Sequence, residues 1–184
     1  MNVALFMKAR EADVLGDHPP KAPKLPWSAT GNRRFDDIIK LAGDDWGYWP
    51  LFTVDTDKWS EGGIGIIGDA AHAMVPFQAQ GAAMAIEDAA VLAPLLMTDV
   101  DADTALRRYQ AIRQPRVERV KKLSEQNGFA FHMEWPFSLG RDAVVKSQGP
   151  LGHINRLAWL YGYDPSPDPA GIPSAPQLAV RDAT

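Results

Sequence analysis

The sequence predicts a mixed α/β fold in which short strands alternate with longer helices. Three observations carry this prediction. A compact β-branched segment, residues 64–67, stops at a Gly-Asp pair and is typical of a buried strand. An alanine-rich helical pattern follows over residues 80–96, and a second helical pattern covers residues 104–127 with Pro115 expected to kink it. Strands that alternate with such helices are typical of the α/β class.

Earlier elements are shorter and separated by breakers. Residues 2–7 predict a strand, and residues 32–43 predict an amphipathic helix that stops at Gly43. Residues 48–55 predict a second strand, in which Pro50 favours an edge position or a bulge. The proline-rich residues 17–26 predict a loop, and "WSEGG" at residues 59–63 predicts a turn.

Composition excludes several classes of protein. The net charge of −4 argues against a nucleic-acid partner, which would favour a basic surface. The chain has no cysteine, so disulfides, thiolate metal sites and cysteine nucleophiles are excluded, and a cytoplasmic location is expected. No apolar run reaches the roughly 18 residues of a membrane helix, and the N-terminus lacks the pattern of a signal peptide, so we expect a soluble chain with no membrane partner.

The stretch "GGIGIIGDAAHA", residues 62–73, contains a G-x-G-x-x-G match at Gly63, Gly65 and Gly68. In a dinucleotide fingerprint such glycines follow a strand and open a helix, so that backbone N–H groups meet the pyrophosphate. Here isoleucines separate the glycines and a turn signal precedes them. We therefore expect these glycines to lie in a strand and not in a phosphate-binding loop.

The residues after the match suggest a ligand site of another kind. Asp69 is expected at the carboxyl end of the strand, where it can accept hydrogen bonds from sugar or sugar-alcohol hydroxyls, or else cap the next turn. Pro76 stiffens the following loop, and Gln80-Gly81 opens a helix whose free N–H groups favour an anion or a polarised carbonyl oxygen. Together they describe a flat polar ligand between a strand end and a helix start.

The segment "GDAAHAMVPFQAQGAAMAIEDAAVLA", residues 68–93, resembles the second flavin-binding motif of the FAD-dependent aromatic hydroxylases (class A flavoprotein monooxygenases). The family pattern is G-D-A-A-H, a proline, then G-Q-G-x-N-x-A-x-E-D-A. Ala79 replaces the first glycine of G-Q-G and Ala83 the asparagine, a variant most similar to the salicylate hydroxylase and 6-hydroxynicotinate monooxygenase branch. The matching positions are Gly68, Asp69, Ala70, Ala71, His72, Pro76, Gln80, Gly81, Ala85, Glu87, Asp88 and Ala89.

The resemblance implies the C-terminal half of such an enzyme. Residues 1–61 would form the C-terminal part of a β-sheet substrate domain, and residues 62–163 the C-terminal part of a Rossmann-like FAD-binding domain with C-terminal helices. Residues 164–184 would be a proline-rich tail. The sequence contains neither the G-x-G-x-x-G strand–turn–helix that holds the ADP half of FAD nor the family's Asp-Gly motif. A non-catalytic remnant, a split enzyme completed by a separate N-terminal polypeptide, and a homo-oligomer therefore stay open.

The resemblance also assigns roles around the cofactor. Asp69, next to Gly68, would bind the ribityl chain of FAD, unless it only caps a turn. Pro76 would lie against the isoalloxazine face, or else only stiffen the turn. Gln80, Gly81 and Ala82 would offer backbone N–H groups to the N1–C2 carbonyl region, where a helix N-terminus stabilises the negative charge of reduced flavin.

Other residues keep two interpretations each. His72 is either a base acting on a phenol or, as we favour, a structural hydrogen-bonding residue. Met74 and Phe77 either line a substrate pocket or pack in the core. Glu87 and Asp88 are expected to form structural salt bridges, and no metal site is expected. The basic side chains of residues 106–126 are expected to face solvent rather than an acidic partner.

The family activity implied is hydroxylation of an aromatic or heteroaromatic acid. NAD(P)H would reduce FAD, O₂ would add to give a flavin C4a-hydroperoxide, and an oxygen atom would pass to the substrate ring. Partners would then be O₂ and a small aromatic substrate.

Overall fold

The structure, a computed structural model, describes residues 4–6, 32–43, 47 and 49–166, and the chain divides into two units between Leu51 and Phe52. In the first unit, helix α1 spans Arg33–Ala42. The Asn32 side chain accepts a hydrogen bond from the Arg34 N–H at 3.0 Å, and Gly43 ends the helix with a φ of 65°. The predicted helix and its glycine stop are therefore confirmed.

Two predicted strands of the N-terminal region are not found where the structure describes them. Residues 4–6 carry no strand, and neither do residues 49–55. The Val54 N–H instead bonds the Ala73 carbonyl at 2.9 Å, which ties two irregular segments together in place of a ladder. The predicted loop at residues 17–26 and the tail from residue 167 lie outside the described residues.

The second unit begins with a small hairpin and continues as helices. Strand β1, Ser60–Glu61, pairs antiparallel with β2, Ile64–Gly65. A short helical turn α2, Asp69–His72, and a 3₁₀ turn, Pro76–Gln78, lead to helix α3, Gly81–Leu96. Helix α4 is Ala102–Phe131 and helix α5 is Phe137–Tyr161. The described residues thus form a mostly helical fold with a small sheet, which confirms the mixed class.

The strand expected over residues 64–67 is shorter than predicted, so two of the three glycines of the G-x-G-x-x-G match lie outside it. Gly63 lies in the hairpin turn with a φ of 80°, and Gly68 precedes α2 with a φ of 58°. Among the three glycines only Gly65 lies in a strand. The expectation that all three were strand residues is wrong, because positive φ values at Gly63 and Gly68 turn the chain on both sides of β2.

Helices α3 and α4 confirm the two helices that the sequence pattern predicts over residues 80–96 and 104–127. Asp101 caps α4 by accepting the Thr104 N–H at 2.9 Å, and the helix continues through Pro115 as one element. Helix α5, whose bounds the sequence pattern did not give, is interrupted at Gly149, where φ is 60° and ψ is 176°. The core of this unit lies between α3, α4 and the end of α5, and its members are Trp59, Ala71, Met84, Val91, Tyr109, Val117, Val120 and Leu160.

Candidate functional site

The candidate site begins where α2 approaches the N-terminus of α3. Asp69 is the first residue of α2 and its side chain is exposed, so it does not follow a strand directly as predicted. A Cβ built on Gly81 would lie 3.9 Å from the Asp69 Oδ1 atom. The carboxylate of Asp69 is therefore beside the first turn of α3, and the missing side chain of Gly81 keeps the space between them open.

The first turn of α3 offers hydrogen-bond donors. An α-helix leaves its first N–H groups without intrahelical acceptors, and the N-cap residue Gln80 makes no side-chain capping bond. The helix dipole adds partial positive charge at this end. Gly81 and Ala82 thus present backbone donors next to the acceptor Asp69, the pairing that a ligand with both a carbonyl and hydroxyl groups requires.

The approach to α3 is set by a strained residue. Ala79 has φ 54° and ψ 35°, a left-handed conformation that L residues with a Cβ adopt at a cost. The Ala79 N–H bonds the Pro76 carbonyl at 3.0 Å and closes the 3₁₀ turn. Gln80 follows with only 8% of its surface exposed. Pro76 therefore starts the turn that aims the chain into α3.

Behind this surface lies a buried carboxylate, Asp88 of α3. It has no exposed surface, and its Oδ2 atom accepts the Gly68 N–H at 3.0 Å and lies 2.6 Å from His72 Nε2. Its other oxygen, Oδ1, accepts the Nε–H of Arg113 at 2.8 Å, and Arg113 is also fully buried. One carboxylate therefore joins both ends of α2 to the middle of α4.

The neighbouring Glu87 extends the ion pairs towards α5. It accepts from Arg113 Nη1 at 2.6 Å and from Arg116 Nε and Nη2 at 2.7 Å each. Arg116 also donates to the carbonyls of Trp159 and Leu160, and its guanidinium lies 3.7 Å from the ring centroid of Tyr163. We call Glu87, Asp88, Arg113 and Arg116 the buried ion-pair network; its two negative and two positive charges balance.

This environment shifts two pKa values. Burial alone would raise the pKa of Asp88, but hydrogen bonds from His72, Arg113 and the Gly68 amide outweigh it, so the pKa lies below its usual range. Burial, followed by the charge of Asp88, raises the pKa of Tyr109 far above its ordinary value. Asp88 is therefore an anion and Tyr109 a neutral phenol at neutral pH.

His72 has the surroundings of a structural residue. Its side chain is 3% exposed, and the ring lies 5.3 Å from the Trp59 ring, centroid to centroid. Because Asp88 is ionised and accepts, His72 Nε2 carries the proton, while the buried Nδ1 has no hydrogen-bond partner. Neither nitrogen is open to a substrate, which weighs against the base interpretation.

Met74 and Phe77 pack against the protein. Met74 packs against the core cluster. The Phe77 ring lies against α4, with ring centroids 6.2 Å from Phe131 and 5.5 Å from His132, and a Cβ added at Gly128 would lie 2.6 Å from it. These contacts account for both side chains by packing; their role in a substrate pocket stays a prediction.

The basic side chains of α4 are not all solvated as expected. Arg113 and Arg116 meet the acidic pair Glu87 and Asp88 of the same chain, and Lys121 donates to the Val54 carbonyl at 2.9 Å. The expectation of a uniformly solvated face is wrong for these three, although the predicted salt bridging of Glu87 and Asp88 is confirmed. Arg113 was missed as a site residue; its signal was a basic position on an apolar helix stripe, between Tyr109 and Val117.

Two features are absent from the part of the chain that the structure describes. No helix there is both long and apolar enough to span a bilayer. That part also holds no group of three or more His, Cys, Asp or Glu side chains arranged to bind a metal ion.

Comparison with known proteins shows what this part of the sequence is similar to. Residues 36–124 match the sequence model of the FAD binding domain family. The resemblance to FAD-dependent aromatic hydroxylases is thereby confirmed, because the matched segment, which includes Asp69, α3 and the network, is related to their FAD-binding domain.

Particular relatives carry hydroxylase and monooxygenase names. The 3-amino-4-hydroxybenzoate 2-monooxygenase PtnB3 of Streptomyces platensis is 43% identical over 136 residues, covering 71% of this chain and 34% of that protein. The 3-hydroxybenzoate 6-hydroxylase 1 of Aquipseudomonas alcaligenes is 35% identical over 122 residues, 65% of this chain and 31% of that protein. A solved structure of 2-methyl-3-hydroxypyridine-5-carboxylic acid oxygenase, tetrameric form, matches 68% of this chain and 29% of its own at 28% identity and a TM-score of 0.46. The chain spans about a third of the length of the curated relatives it matches.

Proposed function

We propose that this chain provides the flavin-facing part of the FAD site of an aromatic hydroxylase. The observation that carries the proposal is the placement of the exposed Asp69 carboxylate beside the uncapped first turn of α3. The family match over residues 36–124 supports the choice of FAD as the ligand. The names of the relatives support a hydroxylated aromatic acid as the substrate class.

The residues present suit a flavin. Ribityl hydroxyls need hydrogen-bond acceptors, and Asp69 supplies a carboxylate that is exposed. The polar edge of the isoalloxazine ring needs donors, and Gly81 and Ala82 supply backbone N–H groups at the positive end of a 16-residue helix. A side chain at position 81 would narrow the gap, since even its Cβ would lie 3.9 Å from Asp69 Oδ1.

Each residue has a distinct task in this proposal. Asp69 binds the ribityl chain, and the N–H groups at the start of α3 stabilise negative charge on the ring edge of the reduced cofactor. Pro76 covers the ring face, and the 3₁₀ turn it begins holds the approach to Gln80 in place. When bound and reduced by NAD(P)H, FAD supplies the activation of O₂ for transfer of one oxygen atom to the aromatic ring.

A second candidate is a non-catalytic chain, or one half of a split enzyme. It is favoured by the share of the relatives that the chain covers, about a third. The matched part includes Asp69 and the start of α3, whereas this sequence has no G-x-G-x-x-G strand–turn–helix of the kind that holds the ADP half. Hydroxylation would then require an ADP-binding segment in addition to these residues.

Titration of the purified chain with FAD tests the proposal. We expect the bound cofactor to change the visible flavin spectrum and quench flavin fluorescence, with saturation at one FAD per chain. Asp69→Ala should weaken binding by about tenfold, since a lost hydrogen bond to a charged group costs on the order of 1.5 kcal/mol. Asp99→Ala, which removes another exposed carboxylate of the same unit, is the matched control and should leave the affinity unchanged.

The outcomes separate the candidates. Binding that Asp69→Ala leaves unchanged would contradict the ribityl assignment. A wild-type chain that gains no flavin band would exclude independent cofactor binding and leave the remnant or the split enzyme. Flavin binding that appears only after addition of a polypeptide carrying the G-x-G-x-x-G segment of a relative would favour the split enzyme.

A further inference from the structure

One carboxylate oxygen holds both ends of the turn that carries Asp69. The Oδ2 atom of Asp88 accepts the N–H of Gly68, immediately before α2, at 3.0 Å. The same atom lies 2.6 Å from Nε2 of His72, the last residue of α2. The turn between these two contacts is only four residues long.

Such a turn cannot hold its own shape. A helix of one turn closes too few backbone hydrogen bonds to offset the cost of its nucleation. The conformation before it, φ 58° and ψ −140° at Gly68, is one that glycine adopts freely and that leaves the chain many alternatives. The direction of the Asp69 side chain therefore depends on contacts made from outside the turn.

We propose that Asp88 is a positioning residue for the flavin site: by clamping Gly68 and His72 it holds α2 so that the Asp69 carboxylate faces the first turn of α3. This inference rests on the proposed function. Asp88 does not reach the cofactor side itself, because it has no exposed surface. It acts through Asp69, whose Oδ1 atom lies beside the space next to Gly81.

The two carboxylates of the buried ion-pair network allow a positioning role of Asp88 to be distinguished from an effect on the stability of the fold. Asp88 bonds to α2 and to Arg113. Glu87, the adjacent residue, bonds to Arg113 and Arg116, and Arg116 reaches the α5 carbonyls. Of the two carboxylates, Asp88 alone has a hydrogen bond to α2 among the described residues. Glu87 is thus a control of the same charge, helix and network.

The experiment compares Asp88→Asn with Glu87→Gln in the full chain. An asparagine at 88 has a single accepting oxygen, and the charged Arg113 competes for it most strongly, so the NH₂ group replaces the oxygen that accepts from Gly68 and His72. The Gln at 87 leaves every contact of Asp88 in place. We expect FAD affinity to fall at least tenfold in Asp88→Asn and less than twofold in Glu87→Gln, with unfolding midpoints measured in parallel by urea denaturation.

A second readout needs no cofactor. In a ¹⁵N-labelled chain without FAD, Asp88→Asn should speed amide hydrogen exchange at Gly68 and change the tautomer signals of the His72 ring, and Glu87→Gln should do neither. If Asp88→Asn fails to fold, His72→Leu removes one of the two clamping contacts and keeps the Arg113 ion pair. It should weaken FAD binding while Glu87→Gln does not.

Two results would overturn the inference. One is an equal loss of FAD affinity in Asp88→Asn and Glu87→Gln, which would show that the loss comes from lower stability of the fold and not from the position of α2. The other is unchanged exchange at Gly68 in Asp88→Asn. If the wild-type chain binds no FAD while Asp88→Asn still shows the NMR changes, independent FAD binding is contradicted and the clamp is confirmed.

Discussion

The two polar regions of the second unit differ in how their groups are satisfied. In the buried ion-pair network, Asp88 and Arg113 have no exposed surface and bond to each other and to further protein groups. At the edge formed by Asp69 and the first turn of α3, the carboxylate is exposed and the helix start has no side-chain cap. The outer edge and the two carboxylates of the network are neighbours in sequence, since Asp69, Gly81, Glu87 and Asp88 all lie within residues 68–93.

This difference indicates which region has groups free to bind a ligand and which one supports the fold. Charges that are buried and mutually paired leave no hydrogen-bonding capacity for a ligand and keep the backbone in one arrangement. Donors and an acceptor that face open space keep that capacity. A motif of adjacent residues thus divides into an inner part that holds helices together and an outer part suited to a cofactor.

The largest effect is expected from breaking the network at Arg113. Arg113→Leu would leave Asp88 as an uncompensated buried charge, and the loss of one partner of a buried ion pair costs about 3–5 kcal/mol. We expect a loss of that order in the free energy of unfolding, measured by urea denaturation at neutral pH.

The matched control is Arg108→Leu, which changes an exposed arginine of the same helix. It should leave the free energy of unfolding nearly unchanged. Equal effects at the two positions would show that the burial of Arg113 does not matter to stability, and the contrast between the two regions would collapse.

The sequence predicted the outer region better than the inner one. The bounds of α3 and its small first residue, Gly81, follow from local patterns and match the structure to within one residue, whereas Asp69 was expected at the end of a strand and lies instead in the turn α2. The pairing of Asp88 with Arg113 joins residues 25 positions apart, and it depends on how α3 packs on α4, which no local pattern specifies. The prediction of a strand at residues 48–55 was wrong for the same reason. Residues with high β-propensity form a strand only beside a partner strand, and Val54 instead bonds to Ala73.

Acid should weaken the inner region first. The folded-state pKa of Asp88 lies below its usual range, so its contribution to stability is complete above the ordinary Asp value of about 3.9 and is lost as the pH falls through the folded-state pKa. We expect the free energy of unfolding of the wild type to fall below about pH 4 more steeply than that of Asp88→Asn.

Urea denaturation of both proteins at several pH values between neutrality and strong acid measures this difference. Subtracting the Asp88→Asn curve removes the carboxylates that both proteins share. Parallel curves would mean that Asp88 is protonated with the same affinity in the folded and unfolded chains, contrary to the direction of its pKa shift.

The smallest effect is expected at the outer region, where Ala79→Gly should increase stability. Ala79 holds a left-handed conformation, φ 54° and ψ 35°, which costs a residue with a Cβ about 1 kcal/mol or more. Glycine adopts it freely but adds unfolded-state entropy, so the net gain should be about 0.5 kcal/mol.

Ala89→Gly, at an exposed position inside α3, is the control and should lose about 1 kcal/mol. A gain in the free energy of unfolding for Ala79→Gly and a loss for Ala89→Gly, both measured by urea denaturation, would show that strain is concentrated at the start of α3. A loss for both variants would show that the 3₁₀ turn imposes no strain on Ala79. Ala79→Gly also tests whether the two regions are independent. Relief of strain at the start of α3 should leave the inner network, and therefore the acid sensitivity of the chain, unchanged.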